Sequence, residues 1–306
     1  YDGGDSERAI KAALVDRYPR ERYTLATKLC AWMGAHDEAS AKQQFYTSLE
    51  RTGAGYFDYY LLHALQAGNY KKYDEYHLWD FVKEQKAKGL IKLVDVAPEQ
   101  PGNLEFIRQV SHDVRVSVAH TCTGYDDACA AFDAGARHMT HLFNAMPSLH
   151  HREPGPIAAG AERNDITAEI IADGVHIHPA MVRLAFALFG DDRMILISDS
   201  LRACGLGDGE YELGGQQFFV KGNRATIANG SLAGSVSDVM ACMRTAVRSM
   251  GIPSTSAVKA ATVNPARALG LDGKLGAIAP GYQADAVVLD CDLNIKHVVL
   301  RGKALV

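Results

Sequence analysis

Short apolar runs alternate with amphipathic stretches along most of the 306 residues of this chain. Continuous apolar runs predict buried strands, and apolar positions three or four residues apart predict helices. Strands are therefore expected at 23–27, 56–62, 93–97, 114–118, 138–143, 166–171 and 194–197. Helices are expected around 45–49 and over 78–88, 126–134, 179–189 and 235–249. Seven strands that alternate with helices predict parallel pairing in an α/β fold, as in a (β/α)₈ TIM-like barrel.

Two regions depart from this alternation. Residues 211–227 carry glycines at expected turns and predict a β-hairpin, which forms part of an insert over 207–230. Residues 286–290 and 296–306 predict the short strands of a small C-terminal β appendage. We therefore expect a barrel, complete or incomplete, with a β segment added at its end.

Composition narrows the range of partners. The chain is 47% hydrophobic and 22% charged, with a net charge of −4, so no basic excess favours nucleic acid or an anionic membrane surface. No apolar run approaches the ~18 residues of a membrane span. Six scattered cysteines without a CxxC pair indicate reduced thiols and a cytoplasmic location. The opening at Tyr1, without a methionine, indicates a fragment or a processed product.

Four polar residues follow predicted strands at the end where barrels carry their chemistry. They are His120, His141, His176 and Asp199. A single histidine at a strand end is usually an ordinary polar residue, but four such residues on four strands favour one shared site. Neutral imidazoles bind Zn²⁺ or Fe²⁺, and a nearby carboxylate can move protons. The pattern predicts metal-dependent hydrolysis.

Six ordered motifs make the interpretation more specific. They are Ala119-His120-Thr121, THLFNAM at 140–146, REPG at 152–155, DGVH at 173–176, Ser198-Asp199 and GSLAGS at 230–235. Residues 93–306 thereby resemble the N-acetylglucosamine-6-phosphate deacetylases of the amidohydrolase superfamily. NPARALG at 264–270 and the Pro280-Gly281 segment resemble the C-terminal signature of amidohydrolases in general.

This resemblance implies the following roles. A divalent metal, Zn²⁺ before Fe²⁺, would be held by His120 and His141. Asp199 would take a proton from the attacking water and pass it to the departing amine. The amino-sugar phosphate, a small-molecule partner, would be contacted by His176, Asn144, Ala145, Arg152, Ala233, Gly234 and Ser235. The implied reaction converts N-acetylglucosamine 6-phosphate to glucosamine 6-phosphate and acetate, and the family commonly forms homodimers.

The resemblance fails before residue 93. The family's metal-binding glutamate lies in an HLEGP-like motif that the chain lacks, so activity is expected to be impaired. Two residues compete as a third ligand. His63 follows the preceding predicted strand, whereas Glu99 belongs to a different family motif in which a structural role is favoured.

Residues 1–92 resemble an aldo-keto reductase instead. The resemblance rests on the segments that begin at Tyr1, Thr24 and Phe57, and it matches Tyr1, Lys28 and His63 to that family's active-site tyrosine, lysine and histidine. The family's aspartate and its late nicotinamide-nucleotide site have no counterpart, and hydride transfer needs a hydride carrier.

The sequence therefore predicts a hybrid whose two parts join within 91–96. Its expected domains are a reductase-like first part of the barrel at 1–92, an amidohydrolase-like remainder at 93–270 and a C-terminal β segment at 271–306. Deacetylation is the favoured function, with a reductase and an inactive hybrid barrel as the alternatives. Each packing error between two halves that never shared a core would cost about 1–3 kcal/mol, which predicts marginal stability.

Overall fold

The computed structural model describes residues 4–20, 23, 25–31, 34–62, 70–90, 93–96, 103–112, 115–213 and 216–305. The chain divides into two compact units. The first comprises residues 1–160 and 211–218, and the second comprises 161–210 and 219–306.

Helices and strands alternate through most of the described chain. The helices are α1 Asp5–Ile10, α2 Glu38–Thr52, α3 Tyr70–Glu75, α4 Leu78–Ala87, α5 Asn103–Val110, α6 Tyr125–Ala134, α7 Gly155–Ala161, α8 Pro179–Phe189, α9 Val239–Arg248, α10 Ser254–Ala261 and α11 Val263–Ala268, with a π-helical turn at Lys11–Val15 after α1. The strands are β1 Ala26–Leu29, β2 Tyr59–Leu62, β3 Leu93–Val96, β4 Arg115–Val118, β5 His138–Met139, β6 Thr167–Ile171, β7 Met194–Ile197, β8 Gly209–Leu213, β9 Gln216–Lys221, β10 Arg224–Ile227, β11 Leu232–Gly234, β12 Ala286–Leu289, β13 Ile295–Leu300 and β14 Lys303–Ala304. None of the helices in the described part of the chain is both long enough and apolar enough to cross a membrane.

Strands β1 to β7 are the seven that the sequence predicts, and their described pairing is parallel. In the first unit β1 pairs with β2, while β4 pairs with β3 and β5. In the second unit β6 pairs with β7 from Ala168↔Met194 to Ile171↔Ile197. A parallel strand must be reached through a crossover, and helices supply it here. The α/β class is therefore confirmed.

Three predicted strands have the wrong bounds, and among them the second was expected at 56–62, whereas β2 runs only from Tyr59 to Leu62. The first was expected at 23–27, but β1 runs from Ala26 to Leu29. The fifth was expected at 138–143, but β5 contains only His138 and Met139. Alternating left-handed residues over 141–145 turn the chain into a loop, and apolar periodicity gives no sign of such a turn.

An aromatic cluster forms the core of the first unit. The Phe45 ring meets Tyr60 edge-on at 5.0 Å between centroids, and it meets Phe57 and Phe81 in the same manner at 5.9 and 5.7 Å. These four side chains are at most 4% exposed. Aromatic pairs in this geometry stabilise by more than their buried area alone.

Polar side chains connect the backbone of the second unit. The side-chain amide of Asn264, in α11, donates to the carbonyl oxygens of Asp191 and Met194 at 2.6 and 2.8 Å. The guanidinium of Arg193 donates to several carbonyls, among them those of Ala161 and Phe189. These bonds fix the beginning of β7, the strand that leads to Asp199.

The remaining strands follow the predicted positions. Strands β8, β9 and β10 occupy the region predicted as a hairpin insert, and β10 pairs antiparallel with β11. At the C-terminus β12, β13 and β14 pair antiparallel, with Val287, Ile295 and Leu300 between 40% and 51% exposed. The division into domains at 92/93 and 270/271 stays a prediction.

Candidate active site

Three of the predicted functional residues have a left-handed backbone. His120 and His141 lie in the first unit with φ of 44° and 33°, and Asp199 lies in the second with φ of 48°. Each stands two residues beyond the end of β4, β5 or β7. This conformation costs a non-glycine residue about 1–3 kcal/mol and persists only where the surroundings enforce it. Such strain is typical of functional positions.

His120 and His141 face each other. Their Nε2 atoms lie 2.8 Å apart, and their ring planes are inclined by 81°. Burial, together with the positive charges of His141 and Lys28, lowers the pKa of His120 to about 4. The His120 ring is therefore neutral at neutral pH, which is the form that binds metals.

These imidazoles suit a divalent cation in donor type and spacing. Two nitrogens that share one tetrahedral zinc at about 2.0–2.1 Å stand roughly 3.3 Å apart, only slightly farther than the observed separation. In the part of the chain that the structure describes, no third histidine, cysteine or carboxylate completes the cluster. His63 and Glu99, the two predicted candidates for that position, lie outside the described residues, as does Tyr1.

The loop after His141 carries two predicted phosphate contacts. Phe143 and Ala145 are left-handed, with φ of 73° and 50°. The Asn144 side-chain amide donates to the carbonyl oxygens of His141 and Leu142 at 3.3 and 3.2 Å. Asn144 therefore stabilises the turn on which the metal-ligand candidate His141 lies.

Arg152 lies on the surface of the first unit. Its Nη1 stands 2.7 Å from Nε2 of His151, and its backbone N–H donates to Nδ1 of His150 at 3.4 Å. The guanidinium is exposed and can meet a solvent-borne anion. An exposed surface arginine would look the same, so its role as phosphate partner stays a prediction.

In the second unit, Asp199 contacts the predicted sugar-pocket segment. The backbone N–H of Ser235 donates to the carbonyl oxygen of Asp199 at 2.9 Å, and that of Leu201 donates to Ser235 at 2.7 Å. Gly234 has φ of 140°, and a Cβ there would lie 2.9 Å from Leu201 and 3.2 Å from the Asp199 oxygen. The glycine is required for this close approach, and Ala233 precedes it on β11.

His176 pairs with Asp173, a residue outside the predicted site. Its Nδ1 lies 2.7 Å from Oδ2 of Asp173, in a pair whose side chains are 5% and 1% exposed. The sequence does contain a signal, since an aspartate three residues before a histidine at the end of a buried strand can reach back to it. Asp173 is thus an additional candidate residue.

Two family models match the chain. The amidohydrolase family model matches residues 76–305, and the aldo/keto reductase family model matches residues 1–120. The matches overlap over 76–120, and the predicted join at 91–96 falls inside this overlap. The prediction of a hybrid sequence is confirmed.

Curated relatives are deacetylases of amino-sugar phosphates. The chain is 39% identical over 214 residues to N-acetylgalactosamine-6-phosphate deacetylase of Escherichia coli O157:H7, a match that covers 70% of this chain and 56% of the relative. It is also 39% identical over 220 residues to N-acetylglucosamine-6-phosphate deacetylase of Bacillus subtilis (strain 168), covering 72% and 56%. The chain thus spans about half the length of the curated relatives it matches.

A solved structure extends the similarity to the fold. The N-acetyl-D-glucosamine-6-phosphate deacetylase of Mycobacterium smegmatis is 33% identical and superposes with a TM-score of 0.76, over 92% of this chain and 77% of that one. The family match over 76–305 and this structural match agree, and the chain belongs to the amidohydrolase family.

Proposed function

We propose that the chain carries the reacting part of a metal-dependent deacetylase that acts on N-acetylglucosamine 6-phosphate. Water adds to the acetamide carbonyl, the C–N bond breaks, and the products are glucosamine 6-phosphate and acetate. The amidohydrolase match over 76–305 and the names of the relatives support this substrate class. The single observation that carries the proposal is the pair of converging imidazoles of His120 and His141.

In this proposal each candidate residue has one task. His120 and His141 would hold the divalent cation, Zn²⁺ or Fe²⁺, which supplies Lewis acidity when bound. Asp199 accepts a proton from the attacking water and returns it to the amine nitrogen as the C–N bond breaks, a contribution of about 10²–10⁴-fold. The remaining candidates bind the sugar phosphate, namely Asn144, Ala145, Arg152, His176, Ala233, Gly234 and Ser235.

The phosphate assignment rests on charge and geometry. The guanidinium of Arg152 is always charged, and its planar fork matches a phosphate monoester. Asn144 and Ala145 belong to a loop in which left-handed residues alternate with others, and this arrangement can direct successive backbone N–H groups toward an anion.

Acetate release by the purified chain, supplied with Zn²⁺ and N-acetylglucosamine 6-phosphate, tests the proposal. We expect slow release that is lost in His141→Ala and retained in His112→Ala, whose histidine is exposed and lies in the same unit. Equal rates in the two variants, or no release from the parent at any Zn²⁺ concentration, would count against the proposal.

The proposed function is accompanied by a proposed barrel architecture and a proposed oligomeric state. We propose that β1 to β7 belong to a (β/α)₈ barrel, in keeping with the fold of the relatives, and that the chain forms a homodimer. A reductase function is not favoured, because the sequence contains no nicotinamide-nucleotide loop. Micromolar NADPH binding in a fluorescence titration would revive it.

A further inference from the structure

The Asp173 carboxylate, just beyond β6, has three hydrogen-bond partners. Its Oδ1 accepts from the backbone N–H groups of Val175 and His176, both at 2.9 Å, and its Oδ2 lies 2.7 Å from Nδ1 of His176. Only 1% of the side chain is exposed. A buried carboxylate without such donors would be strongly unfavourable, so the turn is built around this group.

Helix α9 lies beside the turn between these residues. Gly174 has φ of 82°, and a Cβ there would lie 3.5 Å from the Thr245 methyl group. Cys242, on the same helix, is fully buried. Within this turn, the His176 ring is held by the buried Asp173 carboxylate.

The ionisation of Asp173 follows from these contacts. Burial raises the pKa of Asp173, but the hydrogen bonds from the His176 ring and from the backbone N–H groups of His176 and Val175 lower it by more. The pKa of Asp173 consequently lies below its ordinary value, and the group is a carboxylate at neutral pH. An ionised carboxylate only accepts hydrogen bonds.

We propose that Asp173 is a positioning residue that holds the His176 imidazole in the tautomer with its proton on Nδ1. In the neutral ring Nε2 then has a free lone pair and accepts a hydrogen bond. The ligand group that meets Nε2 of the neutral ring is therefore a donor, such as a sugar hydroxyl or the acetamide N–H. The effect on turnover rests on the proposed deacetylase function, whereas the tautomer assignment does not.

The isosteric substitution Asp173→Asn tests the assignment directly. Its amide oxygen can still accept from the two backbone N–H groups, but its NH₂ group would face Nδ1 of His176. The ring proton should then move to Nε2, as an amide in place of a carboxylate favours the opposite tautomer. We would record two-bond ¹H–¹⁵N correlations of the histidine rings in the full chain and assign His176 by its loss in His176→Gln.

The position of the His176 ring proton in the parent and in three variants tests the role of Asp173. We expect the Nδ1–H pattern in the parent, its inversion in Asp173→Asn and no change in Asp192→Asn, a control at an exposed aspartate paired with Lys259. Asp173→Glu, which remains an acceptor, should keep the parental pattern, and it serves as a second variant if Asp173→Asn does not fold. An Nε2–H pattern in the parent, or unchanged signals in Asp173→Asn, would overturn the proposal.

Turnover supplies an independent measurement. Acetate release should fall about 10–100-fold in Asp173→Asn, the range seen when carboxylate partners of metal-binding histidines are removed, and should partly recover in Asp173→Glu. Inverted ring signals with unchanged turnover would overturn the functional part of the inference. A parent without turnover would refute the proposed function, while the ring signals would still decide the role of Asp173.

Discussion

Trp79 and Phe106 lie side by side with ring centroids 5.0 Å apart and planes inclined by 52°. Trp79 belongs to α4 and Phe106 to α5, so the contact links a helix that precedes the predicted join at 91–96 with one that follows it. Lys83 reinforces it, since its ammonium lies 6.0 Å from the Phe106 ring centroid. The two parts of the hybrid therefore share an aromatic contact within the first unit.

Removal of this contact should be costly. Phe106 is only 4% exposed, and Phe106→Ala should lower the free energy of unfolding by about 3–5 kcal/mol through lost burial and a residual cavity. Urea denaturation measures the change. Phe219→Ala, at a side chain that is 38% exposed, is the control and should cost far less. A loss below about 1 kcal/mol in Phe106→Ala would show that the two parts are not energetically coupled here.

Asp199→Asn should abolish deacetylase turnover and leave bound metal unchanged. The reason is that the proposed role of Asp199 is proton transfer, which an amide cannot perform, whereas the imidazoles hold the cation. Acetate release and metal content would be measured on the same purified sample. Unchanged turnover would refute the proton-transfer role, and lost metal would make Asp199 a ligand.

Arg152→Ala should impair use of the 6-phosphorylated sugar far more than use of the unphosphorylated one. Loss of a charge-assisted contact is worth about 1.5–3 kcal/mol, or about 10- to 150-fold in kcat/KM. The comparison requires both substrates and Arg224→Ala as a control at another exposed arginine. Equal losses on both substrates would exclude phosphate recognition by Arg152.

The third metal ligand can be identified by zinc titration of the parent, His63→Ala and Glu99→Ala. Catalytic zinc usually has three protein ligands, so two imidazoles alone predict weak binding. Tight stoichiometric binding that is lost only in His63→Ala would establish a three-histidine site, and loss only in Glu99→Ala would establish the carboxylate. Tight binding that survives both changes would contradict the location assigned to the metal.

The sequence predicted the strands better than it predicted the site. Each of the seven parallel strands overlaps a predicted strand, but β1 begins at Ala26 and only Leu29 of its four residues is buried. The loop after Met139 was predicted as strand, since the left-handed conformations of His141, Phe143 and Ala145 depend on tertiary contacts. The role of Asp173 could not be predicted for a similar reason, because its hydrogen bond to His176 exists only in the folded turn.

The left-handed backbone at His120, His141 and Asp199 has a consequence for any attempt to stabilise this protein. At these positions glycine would relieve the backbone of a cost of about 1–3 kcal/mol, although chemistry would be lost with the side chain. A library screened for heat resistance alone would therefore not select against substitutions at these positions. Heat-resistant clones that carry such substitutions would lack the proposed activity, so turnover must be selected together with melting temperature.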